Sequence, residues 1–436
     1  YRVVTPHTFK AARHSCNPEE SIRALFSVWW RGIVFFDDMD LALRDREKRM
    51  HEIVDTTPAP DWTFVAPKVL ALFGVLAACI AISVLAGVLV QVMKGFSAID
   101  IGQYLAWYAL PAFYSCFTFA ALAVFAQVIT PHKFFGWGIM LIYLIGTITL
   151  SQLGFDHNLY LYGGTPGTPL SEMNEHSHYW IGAAWFQLYW SLFALFLVVL
   201  TYSLWRRGAD TRLLPQLGRL PRRLAGPAGV FAAVLLVSFA GVGGWIYYNT
   251  NVLNDYRSNL GQEARLADME RALLQYEDAP QPKVTDVVLN VQVFPREHRA
   301  VTTGSYTIEN RTGAPLSEMH LMWPDDLELD NVEIDGAMLA EDFAEHEQSF
   351  PFQIWRFATP MEPNERREIR FTTRYEAPGF TNAGSAIPVN NNGTFMNDRM
   401  LAPVLGFDRS GLLQDRTRRR RYGLEPDLRM ARLEDD

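Results

Sequence analysis

The sequence predicts an all-α membrane region of about five transmembrane helices followed by an extracytoplasmic all-β sandwich domain, and three observations predict it. Five long apolar stretches occupy roughly 64–93, 104–128, 134–153, 180–204 and 227–249. Beyond Lys283 no such stretch recurs, and the apolar residues change from a helical period to an alternating one. Arginine and lysine, meanwhile, concentrate in alternate segments, the loops 94–103 and 154–179 between them having one lysine and none, respectively. The overall charged fraction of 20% hides this split, so the parts have to be read separately. They are a cytosolic or interfacial segment (1–63), a membrane region (64–249), a helical stalk (250–282), the sandwich (283–376) and an irregular lead-in to a further domain (377–436).

The chain opens on Tyr1 and has no basic, apolar and small-residue order of a signal peptide, so it reads as a piece of something longer. Residues 21–36 are apolar but short and carry Arg23 and Arg31, which fits an interfacial or re-entrant helix better than a full span. Residues 38–54 place Met39, Leu43, Met50 and Ile53 on one helical face, with Asp45, Arg46, Glu47, Lys48 and Arg49 elsewhere. That is an amphipathic helix, either lying on the membrane surface or docking a cytosolic partner through Leu43, Met50 and Ile53. Thr57-Pro58-Ala59-Pro60 ends it.

Each apolar stretch is near or above the ~20 residues that a helix needs to cross the hydrocarbon layer. Helices are the expected form, because in lipid every backbone polar group must bond within its own segment. Arg44, Arg46, Lys48 and Arg49 precede the first span, and Arg206, Arg207, Arg212, Arg219, Arg222 and Arg223 separate the fourth from the fifth. Both segments are therefore expected on the cytosolic side. The loop 154–179 has no Lys or Arg and is expected outside, as is everything after Asn249. Trp62, Trp107, Trp137, Trp180 and Trp245 sit near span ends, as an interfacial aromatic belt requires.

Residues 255–277 carry Leu260, Leu266, Met269, Leu273 and Leu274 among charges and read as the stalk helix, ended by Pro280 and Pro282. Strands follow at Val287 to Val293, Ala300 to Glu309, Met319 to Trp323, Val332 to Ile334, Phe352 to Phe357 and Glu368 to Tyr375, with turns at Asn310-Arg311-Thr312-Gly313 and Asp335-Gly336. Such spacing predicts an antiparallel sandwich. After Ala377 the pattern fades, and the arginine run at 416 and 418–421 reads as a solvated or interdomain segment.

Chemistry-bearing motifs are few. There is no G-x-x-x-x-G-K-[ST] phosphate loop, so any ATP hydrolysis linked to these spans belongs to a separate subunit. There is also no H-E-x-x-H pair. Neither catalytic nor metal-binding residues are expected, and no cofactor. Asp156, His157, Glu172, Glu175, His176 and His178 share one loop and could hold an ion, but their spacing fits no established site and a hydrated loop is the simpler reading. His346, between Glu345 and Glu347, reads as a solvated histidine. Within the spans, Lys68 is near enough an end to reach water, and Ser83, Gln91, Ser115, Thr118, Thr147, Thr149, Gln187 and Ser191 read as helix-packing residues. Cys16, Cys79 and Cys116 make no disulfide framework. The net charge of −8 argues against nucleic acid as a partner.

Three stretches carry a family resemblance. Arg44 to Pro58 with Trp62 and Lys68, the exit sequence Asn249-Thr250-Asn251-Val252-Leu253-Asn254-Asp255-Tyr256, and Gly393 to Asn397 with Leu405-Gly406-Phe407-Asp408 and Tyr422-Gly423-Leu424 together resemble a bacterial family. In that family an ABC-2-type transporter permease is fused to a periplasmic M1-type aminopeptidase-like region. The resemblance covers residue 38 to the end and stops before the catalytic part, so no catalytic residue carries over. Residues 21–36 depart from it. It implies a multi-pass protein of the bacterial inner membrane, a separate cytosolic ABC ATPase, lipid contact, a homo- or heterodimer of permease halves, and zinc only in a peptidase domain downstream. The alternative is a membrane-anchored M1-type metallo-aminopeptidase fragment lacking its zinc domain; a surface-sensing scaffold is a third reading.

The arginine pattern generates a direct test. With the three native cysteines replaced by serine, an Arg212→Cys variant is expected to resist a membrane-impermeant thiol reagent in intact cells, and a Thr168→Cys variant to react. Labelling at position 212 from outside would reverse the orientation.

Overall fold

The computed structural model of the chain describes residues 62–95, 99–130, 133–168, 178–205, 218, 220–340, 349–383, 387–391, 393–409 and 412–426. The expectations for Leu43, Met50, Ile53, Glu172, Glu175, His176 and His346 lie outside them.

Five helices are long and apolar enough to cross a membrane. They are α1 (Trp62–Met93), α2 (Ile101–Ile129), α3 (Lys133–Gln152), α4 (Tyr179–Leu204) and α5 (Pro227–Tyr247), within three residues of the stretches read from sequence. α2 starts at an Asp100 cap, whose Oδ1 accepts from the Gln103 N–H at 3.2 Å, and widens into a π-helical turn at Tyr104–Ala109. α5 starts on Pro227, which lacks only an N–H that would be unbonded anyway, and runs on into a second π-helical turn, Tyr248–Leu253. Only 11% of the apolar window of α3 is buried, and Ile142 and Ile148 point outward. An aliphatic surface of that extent is stable against lipid or protein and unfavourable against water.

Among the described residues the chain divides into two compact units. One holds the positions up to Leu150 with Asn158–Thr165 and Ala184–Ile246; the other holds Ser151–His157, Pro166–Ala183 and the chain from Tyr247 onward. In the first, Ala120, Ala123 and Ala126 of α2 are buried with Leu76 and Ile80 of α1 and Met140 of α3. Small residues let helix backbones approach closely, which matters where lipid removes the usual gain from burying apolar surface. The segment 158–165 is tied to these helices by hydrogen bonds: Tyr162 Oη donates to the Thr118 carbonyl (2.8 Å), Tyr143 Oη to the Tyr162 carbonyl (2.9 Å) and Trp190 Nε1 to the Asn158 carbonyl (3.0 Å).

The second unit is built on two antiparallel four-stranded sheets. β1 (Lys283–Phe294), β2 (Arg299–Glu309), β7 (Arg366–Glu376) and β4 (Leu327–Ile334) lie side by side in that order. β5 (Ala337–Leu339), β6 (Phe352–Met361), β3 (Leu316–Met322) and β8 (Val404–Leu405) form the other sheet. Ile308, Ile369 and Phe371 of the first sheet share one apolar cluster with Met319, Leu321, Trp355 and Met361 of the second, which is what the alternating pattern encodes. Gly304 pairs with Phe371, and a Cβ there would overlap the Phe371 ring, so the strand needs glycine at this point. Val287, Leu289, Val291 and Val293 face the same side as the buried Tyr306, Gly304, Thr302 and Ala300. Val287 and Val293 nevertheless stay exposed, because β1 is the edge of its sheet.

Two expectations are revised. The stalk helix exists as α6 (Asn259–Leu273), yet it packs against a sheet: Met269, Ala272 and Leu273 are buried with Met322, Phe352 and Ile354. Nor is the arginine run wholly solvated. It forms α7 (Arg416–Arg421), capped by Asp415, whose Oδ1 accepts from the Thr417 and Arg418 N–H groups. Arg419 is buried and makes a bidentate pair with the Glu270 carboxylate of α6, its Nη1 also donating to the Leu413 carbonyl at 2.7 Å. The irregular chain after β7 also buries Phe380, Ile387, Val389, Ala402, Leu412 and Leu413.

The Arg419 and Glu270 side chains are only 6% and 3% exposed, so removing one strands the other charge in an apolar setting. Arg419→Ala is expected to lower unfolding stability by about 3–5 kcal/mol, and the double change Glu270→Leu with Arg419→Met by much less. Thermal or denaturant unfolding of the purified chain checks this; equal losses in both variants would refute it.

Candidate functional site

Two polar arrangements stand out from the apolar packing. The first lies in the second unit, where the exit sequence leaves α5. Asn249 and Thr250 are fully buried in the π-helical turn. Thr250 Oγ1 donates to Asn251 Oδ1 at 2.7 Å, so it is left to accept from the Nε2–H of His157 at 3.1 Å. The His157 ring stands edge-on to Tyr256, with centroids 4.5 Å apart. Tyr256 Oη donates to Asp156 Oδ1 (2.6 Å), and Asp156 Oδ2 accepts the Asn259 N–H (2.7 Å), a carboxylate at the N-terminus of α6. Asn254 Nδ2 reaches the carbonyls of Asn249 and Pro378, both at 2.8 Å. Gly379 has φ +62°, and a Cβ on it would overlap the Asn249 amide.

This joint therefore ties the end of α5, the segment after α3, the start of α6 and the chain beyond β7 into one network. His157 is 1% exposed, which corrects the hydrated-loop expectation at that position. Burial holds its imidazole below the usual histidine range, so the neutral ring is the stable form in the fold. Of the other acidic and histidine residues of that loop, His178 lies elsewhere, with its ring centroid 5.5 Å from that of His298. Burial, and then the neighbouring His298, hold His178 low as well. Among the described residues no three His, Cys, Asp or Glu side chains converge as a metal group would.

His320, on β3, is fully buried. Gln281 brackets it, Nε2 meeting His320 Nδ1 at 2.9 Å and Oε1 accepting the His320 N–H at 2.9 Å. Tyr276 stacks edge-on to it. Burial lowers its basicity, and Glu318 opposes that shift only in part. These contacts are those of a core histidine.

The second arrangement is in the helical unit. Ser115, Thr118, Thr147 and Thr149 turn their hydroxyls back onto carbonyls of their own helices, as packing residues do, and Ser83 bonds the Tyr108 hydroxyl of the π-helical turn. Gln127 behaves differently. Near the end of α2 and 1% exposed, it has no hydrogen-bond partner for either Nε2 or Oε1. A Cβ on Gly136 of α3 would come within 2.6 Å of its amide, so the two helices meet at this point. Gln127 was not singled out from sequence, because one amide in an apolar stretch looks like any other packing residue.

No protein-family model matches the chain, and no curated protein matches it.

An amide buried without partners costs about 1–3 kcal/mol, and an apolar group of the same shape removes that cost. Gln127→Leu is accordingly expected to raise the thermal unfolding midpoint in detergent. A clear fall would mean that the amide is satisfied in the folded chain.

Proposed function

We propose that this chain is the membrane-spanning permease component of an ABC-type transporter of the bacterial inner membrane, with an extracytoplasmic domain resembling the sandwich of M1 peptidases. The resemblance of its sequence motifs brings the family into consideration. The observation that carries the choice of permease over passive anchor is Gln127, a buried amide left without partners where α2 meets α3. An anchor gains nothing from such a defect. In a bundle that alternates between two packings, the amide finds its partner in the other arrangement, or bonds to the transported molecule. Two π-helical turns, in α2 and at the end of α5, support the same reading, since such turns recur where helices must deform.

In this reading a separate cytosolic ATPase docks on the amphipathic face carrying Leu43, Met50 and Ile53, and its closure is transmitted into the spans. The joint around Asn249, Asn254 and Asp156 then passes motion at the end of α5 to α6 and the sheets. The permease works as a dimer of halves within lipid. Zinc chemistry belongs to a peptidase domain downstream, not to these residues.

Leu43→Glu or Met50→Glu is expected to abolish copurification of the ATPase subunit while leaving membrane insertion unchanged. Undiminished copurification in both variants would favour the membrane-anchored peptidase reading.

A further inference from the structure

The connection from α6 to β1 passes through a 3₁₀ turn, Leu274–Tyr276, and then Pro280-Gln281-Pro282, and it meets His320 of β3 twice. Tyr276 stands edge-on to the His320 ring with centroids 5.0 Å apart, and stacks on Phe352 at 5.2 Å. Gln281 takes the place of a strand residue at the edge of β3. Its Oε1 accepts the His320 N–H at 2.9 Å, while the N–H of Gly406, just past β8, donates to the His320 carbonyl at 2.9 Å. Gly406 has φ +78°, and a Cβ on it would come within 3.1 Å of Gln281 Cγ, so the glutamine side chain lies against the backbone there.

These bonds admit one protonation state of the ring. A backbone N–H only donates, so the Gln281 oxygen is fixed on it, and the amide nitrogen is the atom that meets His320 Nδ1 at 2.9 Å. An amide nitrogen donates and does not accept, so Nδ1 holds the lone pair and Nε2 carries the proton. Nε2 faces Glu318 Oε1 at 3.6 Å, beyond hydrogen-bond range. A proton added to Nδ1 would set N–H against N–H. Turning the amide over satisfies Nδ1 and strands the His320 N–H instead, since one amide has one accepting oxygen. The ionisable groups beside the ring are Glu318 on its own strand, Arg356 of β6, whose Nε is 3.7 Å from the Glu318 carboxylate, and Tyr276 of the connection. Glu277, next along the connection, is paired with Arg409, and β8 has no ionisable side chain. Glu318 favours the imidazolium but acts at Nε2, leaving the conflict at Nδ1 in place, and burial opposes the charge more strongly.

We propose that His320 and Gln281 form an acid-released latch, in which a proton on Nδ1 expels the Gln281 amide and lifts the α6–β1 connection from the edge of β3. β1 stays in its sheet, because it is paired along its length with β2. The opening is therefore local. The neutral ring is the latched form, so the latch is closed above the ordinary histidine value of about 6.5 and opens as the pH falls through the lower value of the folded chain. The device is independent of the permease reading.

The test is hydrogen exchange of the whole purified chain in detergent, followed by mass spectrometry from about pH 8 to about pH 5 with the intrinsic rates divided out. The His320 amide is the reporter, since its N–H is bonded to Gln281. Its opening is expected to rise about tenfold per pH unit between the histidine's values in the open and latched forms, while the amides of β2 stay protected. Exchange of the ring's own Cε1–H in the same samples gives the His320 titration, expected below the ordinary histidine range. Gln281→Glu is the discriminating variant, because a carboxylate accepts both the His320 N–H and a protonated Nδ1. It should reverse the dependence, raising the ring's pKa so that the latch is tight in acid and loosens as the pH rises through that value. His320→Asn keeps an oxygen acceptor beside Gln281 with no proton to gain, and should leave opening at position 320 independent of pH. Wild-type opening that does not change with pH, a ring that titrates at or above the ordinary value, a Gln281→Glu variant with the wild-type sign, or an undiminished acid response in His320→Asn would each overturn the proposal.

Discussion

A polar group withdrawn from water must find a partner inside the protein, and this constraint organises both parts of the chain. In the helical unit it accounts for the hydroxyls of Thr118 and Thr149 turned onto their own helices, and for Tyr143 and Tyr162 bonded to carbonyls. In the sheet unit it accounts for the Glu270 and Arg419 pair, whose guanidinium also meets the Leu413 carbonyl, and for the Gln281 amide wrapped on His320. Gln127 departs from it most clearly, with both amide atoms unpaired. Gln91 Oε1 and Ser203 Oγ of the same unit are also buried without a hydrogen-bond partner.

The exit sequence Asn249 to Tyr256 acquires a physical meaning from the same constraint. A span leaving lipid as an ordinary helix would expose its last carbonyls to water and stop. Here the helix widens into a π-helical turn, and just beyond it Asn254 takes up the carbonyls of Asn249 and Pro378 and Tyr256 the carboxylate of Asp156. The same carboxylate accepts the Asn259 N–H at the start of α6, the helix whose Met269, Ala272 and Leu273 are buried against a sheet.

The five apolar helices were legible because length and composition specify them, and β2 and β7 because their burial alternates along the strand. β5 and β8, at three and two residues, are too short to carry a period and are defined only by their neighbours. The packing of α6 was hidden because Met269 and Leu273 suit a stalk as well as a sheet surface. Arg419 sits among arginines that look alike in sequence, and only the position of Glu270 distinguishes it. The candidate site was the least legible part. Gln127 differs from its neighbours through a glycine on another helix, His157 through Thr250, and His178 through His298, all of them pairings that tertiary structure creates.

The most direct measurement places a cysteine at Gln127 and follows its modification by a membrane-permeant maleimide in inverted vesicles containing the chain and its copurifying ATPase. If the spans alternate under ATPase control, the rate changes several-fold between the nucleotide-free state and the ATP-plus-vanadate trap. A rate that stays the same with no nucleotide, ADP, ATP and vanadate would contradict the permease account and leave the helices as an anchor.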